Sequence, residues 1–172
     1  MTIYLTADLH FGHANIIKYC NRPFANVEEM DETLIMNWNF RVHPEDDVYV
    51  VGDFCFGDPR PYVKHLNGNI RFLIGSHDKE LAKLGNLVIG SLVTLKTEPN
   101  ITLCHYAMRS WPASHYGTWH LFGHHHGKLE PYGLSFDVGV DCWDYEPVSL
   151  EKVAKKMATL KPIVDFSRSM LA

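Results

Sequence analysis

The sequence predicts a mixed α/β protein, on two observations. Through residue 78, short apolar runs alternate with helical patterns, and each run stops at a polar cluster containing Asp or His; from about Asn86 the texture changes to successive strands separated by turn residues. The second half therefore points to hairpins and a second sheet.

Residues 2–7 form the first apolar run and lead directly into Asp8-Leu9-His10-Phe11-Gly12-His13. A buried strand that delivers polar groups at its carboxyl end has this texture, and open α/β sheets place their ligands there. Residues 14–20 suit a short helix. Asn26 followed by Glu29 resembles a capping box, and Val27, Met30, Leu34, Ile35, Trp38 and Val42 recur at helical spacing. A helix over 27–42 is expected, packed on a sheet face and stopped by His43-Pro44. Residues 47–51 form the next buried strand, ending in Gly52-Asp53; residues 58–66 read as a helix capped by Asp58, with prolines near its first turn. A third strand, 69–74, ends in Gly75-Ser76-His77-Asp78. Further strands are expected at 91–97, at 101–104 ending at His105, at 118–122 ending at Gly123-His124-His125-His126-Gly127, and at 133–140, before a helix capped by Ser149 and running to about Leu160. The residues after Pro162 carry no pattern. No repeat, low-complexity segment or linker divides the chain, so one domain over 1–172 is expected.

At 172 residues the chain is long enough to bury roughly 70% of its extended surface, and no staple is needed to hold a core. A formal charge of -4 gives no sign of bulk nucleic-acid affinity, although bound divalent cations would offset it locally. Cys20, Cys55, Cys104 and Cys142 form no CxxC pair. With no signal peptide and no long apolar run, a reducing cytoplasm and no membrane contact are expected.

Eleven histidines is a high number, and their positions matter more than the count. Five strand ends offer Asp8 with His10, Asp53, Ser76-His77-Asp78, His105, and His124 with His126. Singly each has a plain explanation, since Asp and His favour turns. Together they form a mixed carboxylate and imidazole set of the kind that divalent Mn, Fe and Zn favour, and free carboxylates without paired cysteines argue for an open catalytic site over a structural zinc. On an extended segment His124 and His126 share a face while His125 points away. A carboxylate alone on its strand end, as Asp53 is, suits a bridge between two cations, and such a pair activates a hydroxide for in-line displacement at phosphorus.

In this order the motifs Asp8-Leu9-His10, Gly52-Asp53, Gly75-Ser76-His77-Asp78, His105 and Gly123-His124-His125-His126 resemble the DxH, GD, GNHD, H and GHxH series of the calcineurin-like metallophosphoesterases. The flanking Phe11-Gly12-His13 and His105-Tyr106 are similar to the small single-domain bacterial and phage members. The resemblance implies a two-sheet sandwich flanked by helices, the four-layer αββα metallophosphoesterase fold, and hydrolysis of phosphomonoesters or phosphodiesters. It implies two divalent metal ions, Mn²⁺ first and Fe, Zn, Ni or Mg as alternatives. Asp8, His10, Asp53 and His126 would hold one ion; Asp53, Ser76, His105 and His124 would hold the other. His77 would assist the leaving oxygen, with Asp78 orienting its imidazole.

Ser76 departs from the family asparagine, and a hydroxyl is a poorer neutral ligand than an amide oxygen, so weaker binding of the second metal is expected. That departure supports one alternative, a metal-binding or partner-binding module with weakened catalysis. A nuclease ranks lower, since no basic stripe or aromatic platform is visible, and a small phosphate ester is preferred to nucleic acid. His13 is a candidate to line the substrate pocket or to cap the next helix. Arg109 is a candidate phosphate contact or surface ion pair. His43 and His65 are read as structural, and His115, His120 and His125 as surface or packing residues.

Overall fold

A computed structural model describes residues 1–163 and has two sheets with helices packed against them. The first sheet is built from β1 (Ile3–Thr6), β2 (Asp47–Val51), β3 (Asn69–Leu73), β4 (Val88–Gly90) and the two-residue β9 (Val148–Ser149), in the order β4-β3-β2-β1-β9. Its first four strands run parallel, and β9 pairs antiparallel with β1. The second sheet has the order β5-β6-β7-β8, from β5 (Leu92–Leu95), β6 (Ile101–Cys104), β7 (Trp119–Phe122) and β8 (Ser135–Asp137).

Alternation along the strands divides the apolar residues between two cores. Val48, Val50, Ile70 and Phe72 pack with Met30, Leu34, Trp38 and Val42. The first three of these last four lie on α2 (Val27–Arg41), and Val42 caps its carboxyl end. The cap is as expected: Asn26 Oδ1 accepts from Glu29 N at 2.9 Å, while the Glu29 carboxylate reaches back to Ala25 N at 2.6 Å. On the opposite face Leu5, Val51 and Leu73 meet Leu103, Leu121 and Phe136 of the second sheet, and Val153 and Met157 of α4 (Leu150–Met157) close the same core. Ser149 caps α4 through Lys152 N, as the sequence predicts.

Several boundaries differ. The helix expected over 58–66 shrinks to the single turn α3 (Arg60–Val63), because Asp58 forms an Asx turn with Arg60 N and spends its carboxylate on the Arg60 guanidinium. α1 (Ala14–Tyr19) forms where expected. The strands β4 and β9 lacked enough apolar alternation to be legible. Among the described residues only β5 and β6 form a hairpin; β6, β7 and β8 are parallel, contrary to the expectation of successive hairpins. Parallel strands expose their carboxyl ends on one edge, which brings the ends of β6 and β7 together where a hairpin would have separated them. The outward face of this sheet carries His120 and Ser135 and is covered by Trp111, stacked on the His120 ring at 5.4 Å, from the loop after β6. Among the described residues no helix is long and apolar enough to cross a membrane.

Candidate metal centre

The carboxyl ends of β1, β2, β3, β6 and β7 converge, and seven of the residues singled out in sequence meet there. The ligand atoms of Asp8, His10 and His126 lie within 4.8 Å of one another, as do those of Asp53, His105 and His124. The trios meet at Asp53, whose Oδ2 is 3.7 Å from His10 Nε2 and 3.3 Å from His105 Nε2. Ser76 is the seventh residue, and its hydroxyl donates to Asp53 Oδ2 at 2.9 Å.

Backbone conformation pays part of the cost of this convergence. Asp8, His10, Asp53, His124 and His126 all have φ between 49° and 71°, the left-handed region that side chains with a Cβ adopt only at a cost of about 1–3 kcal/mol each. The path leaves no room for side chains between ligands: a Cβ on Gly123 would stand 2.6 Å from Asp8 Oδ2, and one on Gly52 would stand 2.5 Å from His105 Nδ1.

The donor atoms fit a cation better than they fit each other. Among the described residues, neither ring nitrogen of the buried His10 has a hydrogen-bond partner, and His105 Nε2 has none either. His105 Nδ1 lies 2.9 Å from the Val51 carbonyl, so it carries the proton and leaves the Nε2 lone pair facing Asp53. His126 is fixed in the same way by Asp141, with Nδ1 2.7 Å from Asp141 Oδ2. Unpartnered buried nitrogens aimed at carboxylate oxygens form the mixed donor set that a divalent ion takes.

Electrostatics separate the two aspartates. Burial raises the Asp8 carboxyl to about 7, against the pull of His126 and His105. Burial also works to raise Asp53, but the His105 imidazole, the His77 N–H and His10 outweigh it and hold that carboxyl far below the usual range. Burial pushes His10 down to about 3. His105 and His126 are raised in spite of burial, the first by Asp53 and the second by Asp141.

Asp78 has a different task from the one expected. Its carboxylate accepts from Asp53 N at 2.7 Å, Phe54 N at 2.9 Å and Gly75 N at 2.7 Å, so it ties the β2 and β3 turns together instead of orienting His77. His77 is exposed, with its ring 5.6 Å from that of His10. His13 sits at the start of α1, but its side chain makes no cap. Its ring stacks on Phe56 at 4.5 Å and lies 5.5 Å from His10, beside the centre. Arg109 lies elsewhere: its guanidinium covers the Tyr132 ring at 5.6 Å, on a cavity of about 440 Å³ that also involves Phe122 and Leu129 and includes none of the two trios. His120 and His125 are not among the trios either.

Residues that the sequence did not single out support the centre. Arg22 is buried, forks onto both oxygens of Asp141 at 2.9 and 2.8 Å, and donates to the Asp8 and Leu9 carbonyls. Cys20, His126 and Asp141 form a third close trio, but His126 Nδ1 and both Asp141 oxygens are already engaged, which makes it a brace for the first trio. Asp137 accepts from Gly127 N and Gly139 N and fixes the turn behind His126. The spacing of Asp137 and Asp141 around Gly139 was a usable sequence signal, whereas Arg22 had none.

No family model matches the chain. It is 39% identical over 165 residues to the uncharacterized protein MJ1445 of Methanocaldococcus jannaschii, covering 89% of each chain. The gene 66 protein of Mycobacterium phage D29 is 24% identical over 189 residues, covering 88% of this chain and 93% of its own. Among solved structures, the protein of unknown function AQ665 from Aquifex aeolicus has a TM-score of 0.68 at 23% identity, covering 90% of this chain and 98% of that one, a likeness of fold.

Proposed function

This chain belongs to the family of the uncharacterized protein MJ1445 of Methanocaldococcus jannaschii, and we propose that it is a metal-dependent phosphoesterase of the calcineurin-like kind, hydrolysing phosphomonoesters or phosphodiesters. The supporting observation is the meeting of two carboxylate and imidazole trios at the single carboxylate of Asp53. Asp8, His10, Asp53 and His126 would hold one divalent ion, and Asp53, His105 and His124, with Ser76 at the margin, the other; Mn²⁺ is the first choice, with Fe, Zn, Ni or Mg as alternatives. When bound, such a pair polarises the phosphoryl oxygens and makes water acidic enough to ionise near neutral pH. The protein's part is to hold the imidazoles in one tautomer, keep Asp53 ionised, and present His77 beside His10 as proton donor to the leaving oxygen. In the four-layer architecture that goes with this activity, the loop carrying Trp111 would stand as the outer layer over the second sheet.

The test is hydrolysis of 4-nitrophenyl phosphate and bis(4-nitrophenyl) phosphate by Mn²⁺-loaded protein, compared with Asp53→Asn. Outer partners of a metal ligand are worth about 10- to 100-fold, so losing the shared ligand should cost about 100-fold or more in kcat with the fold retained by circular dichroism. Equal turnover by the variant would sink the assignment. One observation favours a second reading, a binding module with weakened catalysis: the Ser76 hydroxyl is spent on Asp53 Oδ2. Tight Mn²⁺ binding without turnover of either ester would select it.

A further inference from the structure

A large aromatic side chain stands in water beside this polar centre. Phe56, three residues past Asp53, is 53% exposed. It is nonetheless held in orientation, because the His13 ring stacks on it at 4.5 Å with an interplanar angle of 20°. Phe56, Gly57, His77, Lys79 and Glu80 enclose a cavity of about 180 Å³. Gly57 has φ +96°, and nothing lies within 4 Å of where its Cβ would be, so this wall is open. His77 links the cavity to the centre: its ring is 6.1 Å from Phe56 and 5.6 Å from His10. A phosphoryl group lodged beside His10 and His77 would therefore extend its ester substituent along Phe56.

We infer that Phe56, braced by His13, is a stacking platform for a planar aromatic group carried by the phosphate ester, which directs the site toward nucleotides or aryl phosphates and away from sugar and polyol phosphates. This assignment of substrate class rests on the phosphoesterase proposal. Aromatic stacking tolerates any flat ring, since every ring offers a π face, and the Lys79 ammonium puts hydrogen-bond donors at the cavity edge. A sugar would need several converging free acceptors and donors, and the one carboxylate of this wall, Glu80, is already paired with Lys83 at 2.6 Å.

The experiment compares three ligands with the same dianionic head on Mn²⁺-loaded protein by calorimetry: the phosphonate analogues of adenosine 5′-monophosphate, phenyl phosphate and ribose 5-phosphate, whose P–C bonds resist hydrolysis. The aromatic ligands should bind about tenfold or more tighter than the ribose compound. Their order tells a nucleobase preference from a simple aryl one. Phe56→Leu, which keeps apolar bulk at an exposed position, should erase the preference, and Phe56→Trp should keep it. Equal binding of all three, binding of none, or a preference that survives Phe56→Leu overturns the platform. Hydrolysis of 4-nitrophenyl phosphate and bis(4-nitrophenyl) phosphate by the same samples separates the two ideas: turnover of either ester without ring preference removes the platform alone, and turnover of neither removes the phosphoesterase proposal.

Discussion

Asp141 stands between Arg22 and His126, with Oδ2 2.8 Å from Arg22 Nη2 and 2.7 Å from His126 Nδ1. The ion pair is buried, with side-chain exposures of 0% and 7%. Arg22 also donates to the Asp8 carbonyl, so one guanidinium braces both His126 and the backbone of Asp8. These contacts convert a distant arginine into a positioning residue for the first ligand trio.

Asp141→Asn should therefore do two separable things. Leaving Arg22 buried without its counter-charge should cost about 3–5 kcal/mol of stability in urea unfolding of the metal-free protein. Weakening the hold on His126 should reduce Mn²⁺ affinity about 10- to 100-fold at one of two sites. A folded variant that binds both ions as tightly as the parent would show that Asp141 serves the fold alone.

Ser76 tests the other trio. Its hydroxyl donates to the Asp53 oxygen that faces both His10 and His105, and it is exposed at the margin of the centre. An amide carbonyl at this position is longer and a better neutral ligand, and replacing the serine frees Asp53 Oδ2 from a competing donor. Ser76→Asn should tighten the weaker of two Mn²⁺ sites about tenfold, on the scale that supporting groups exert on metal affinity. Metal titration of both proteins is the measurement, and identical isotherms would remove the idea.

How much of this was legible depended on whether a residue's role is local. The helix 27–42 could be read because its cap and its apolar spacing both lie within the segment, and the structure starts and ends it within one residue of that reading. The candidate ligands could be read because each sits at or just after the end of an apolar run, a place where the chain announces its carboxyl strand end. Asp78 was found, but its role was not: its acceptors are used by backbone N–H groups of Asp53 and Phe54, about 25 positions away, which no spacing encodes. Arg22 was invisible for the same reason, since its carboxylate partner lies 119 residues later. The parallel order of β6 to β8 was missed because their connections carry little helix, the usual sign of a parallel crossover.

His120 gives the protein an acid sensitivity unconnected with metal. It is fully buried between Trp111 and Phe122, and its Nδ1 lies 2.8 Å from Ser135 Oγ while Nε2 has no partner. A proton added at Nε2 would be a buried charge without an acceptor, and burial lowers this imidazole to about 4. In the unfolded chain it titrates near the ordinary value of about 6.5. Between these values the unfolded state binds more protons than the folded state, so stability is full above about pH 6.5 and is lost as pH falls toward about 4. At pH 5 the loss from this one group is about 2 kcal/mol. His120→Phe keeps the stacked ring and removes the titration, so its urea stability should fall less than the parent's between pH 7 and pH 5, by about that amount. Equal losses in the two proteins would assign the acid sensitivity to other groups.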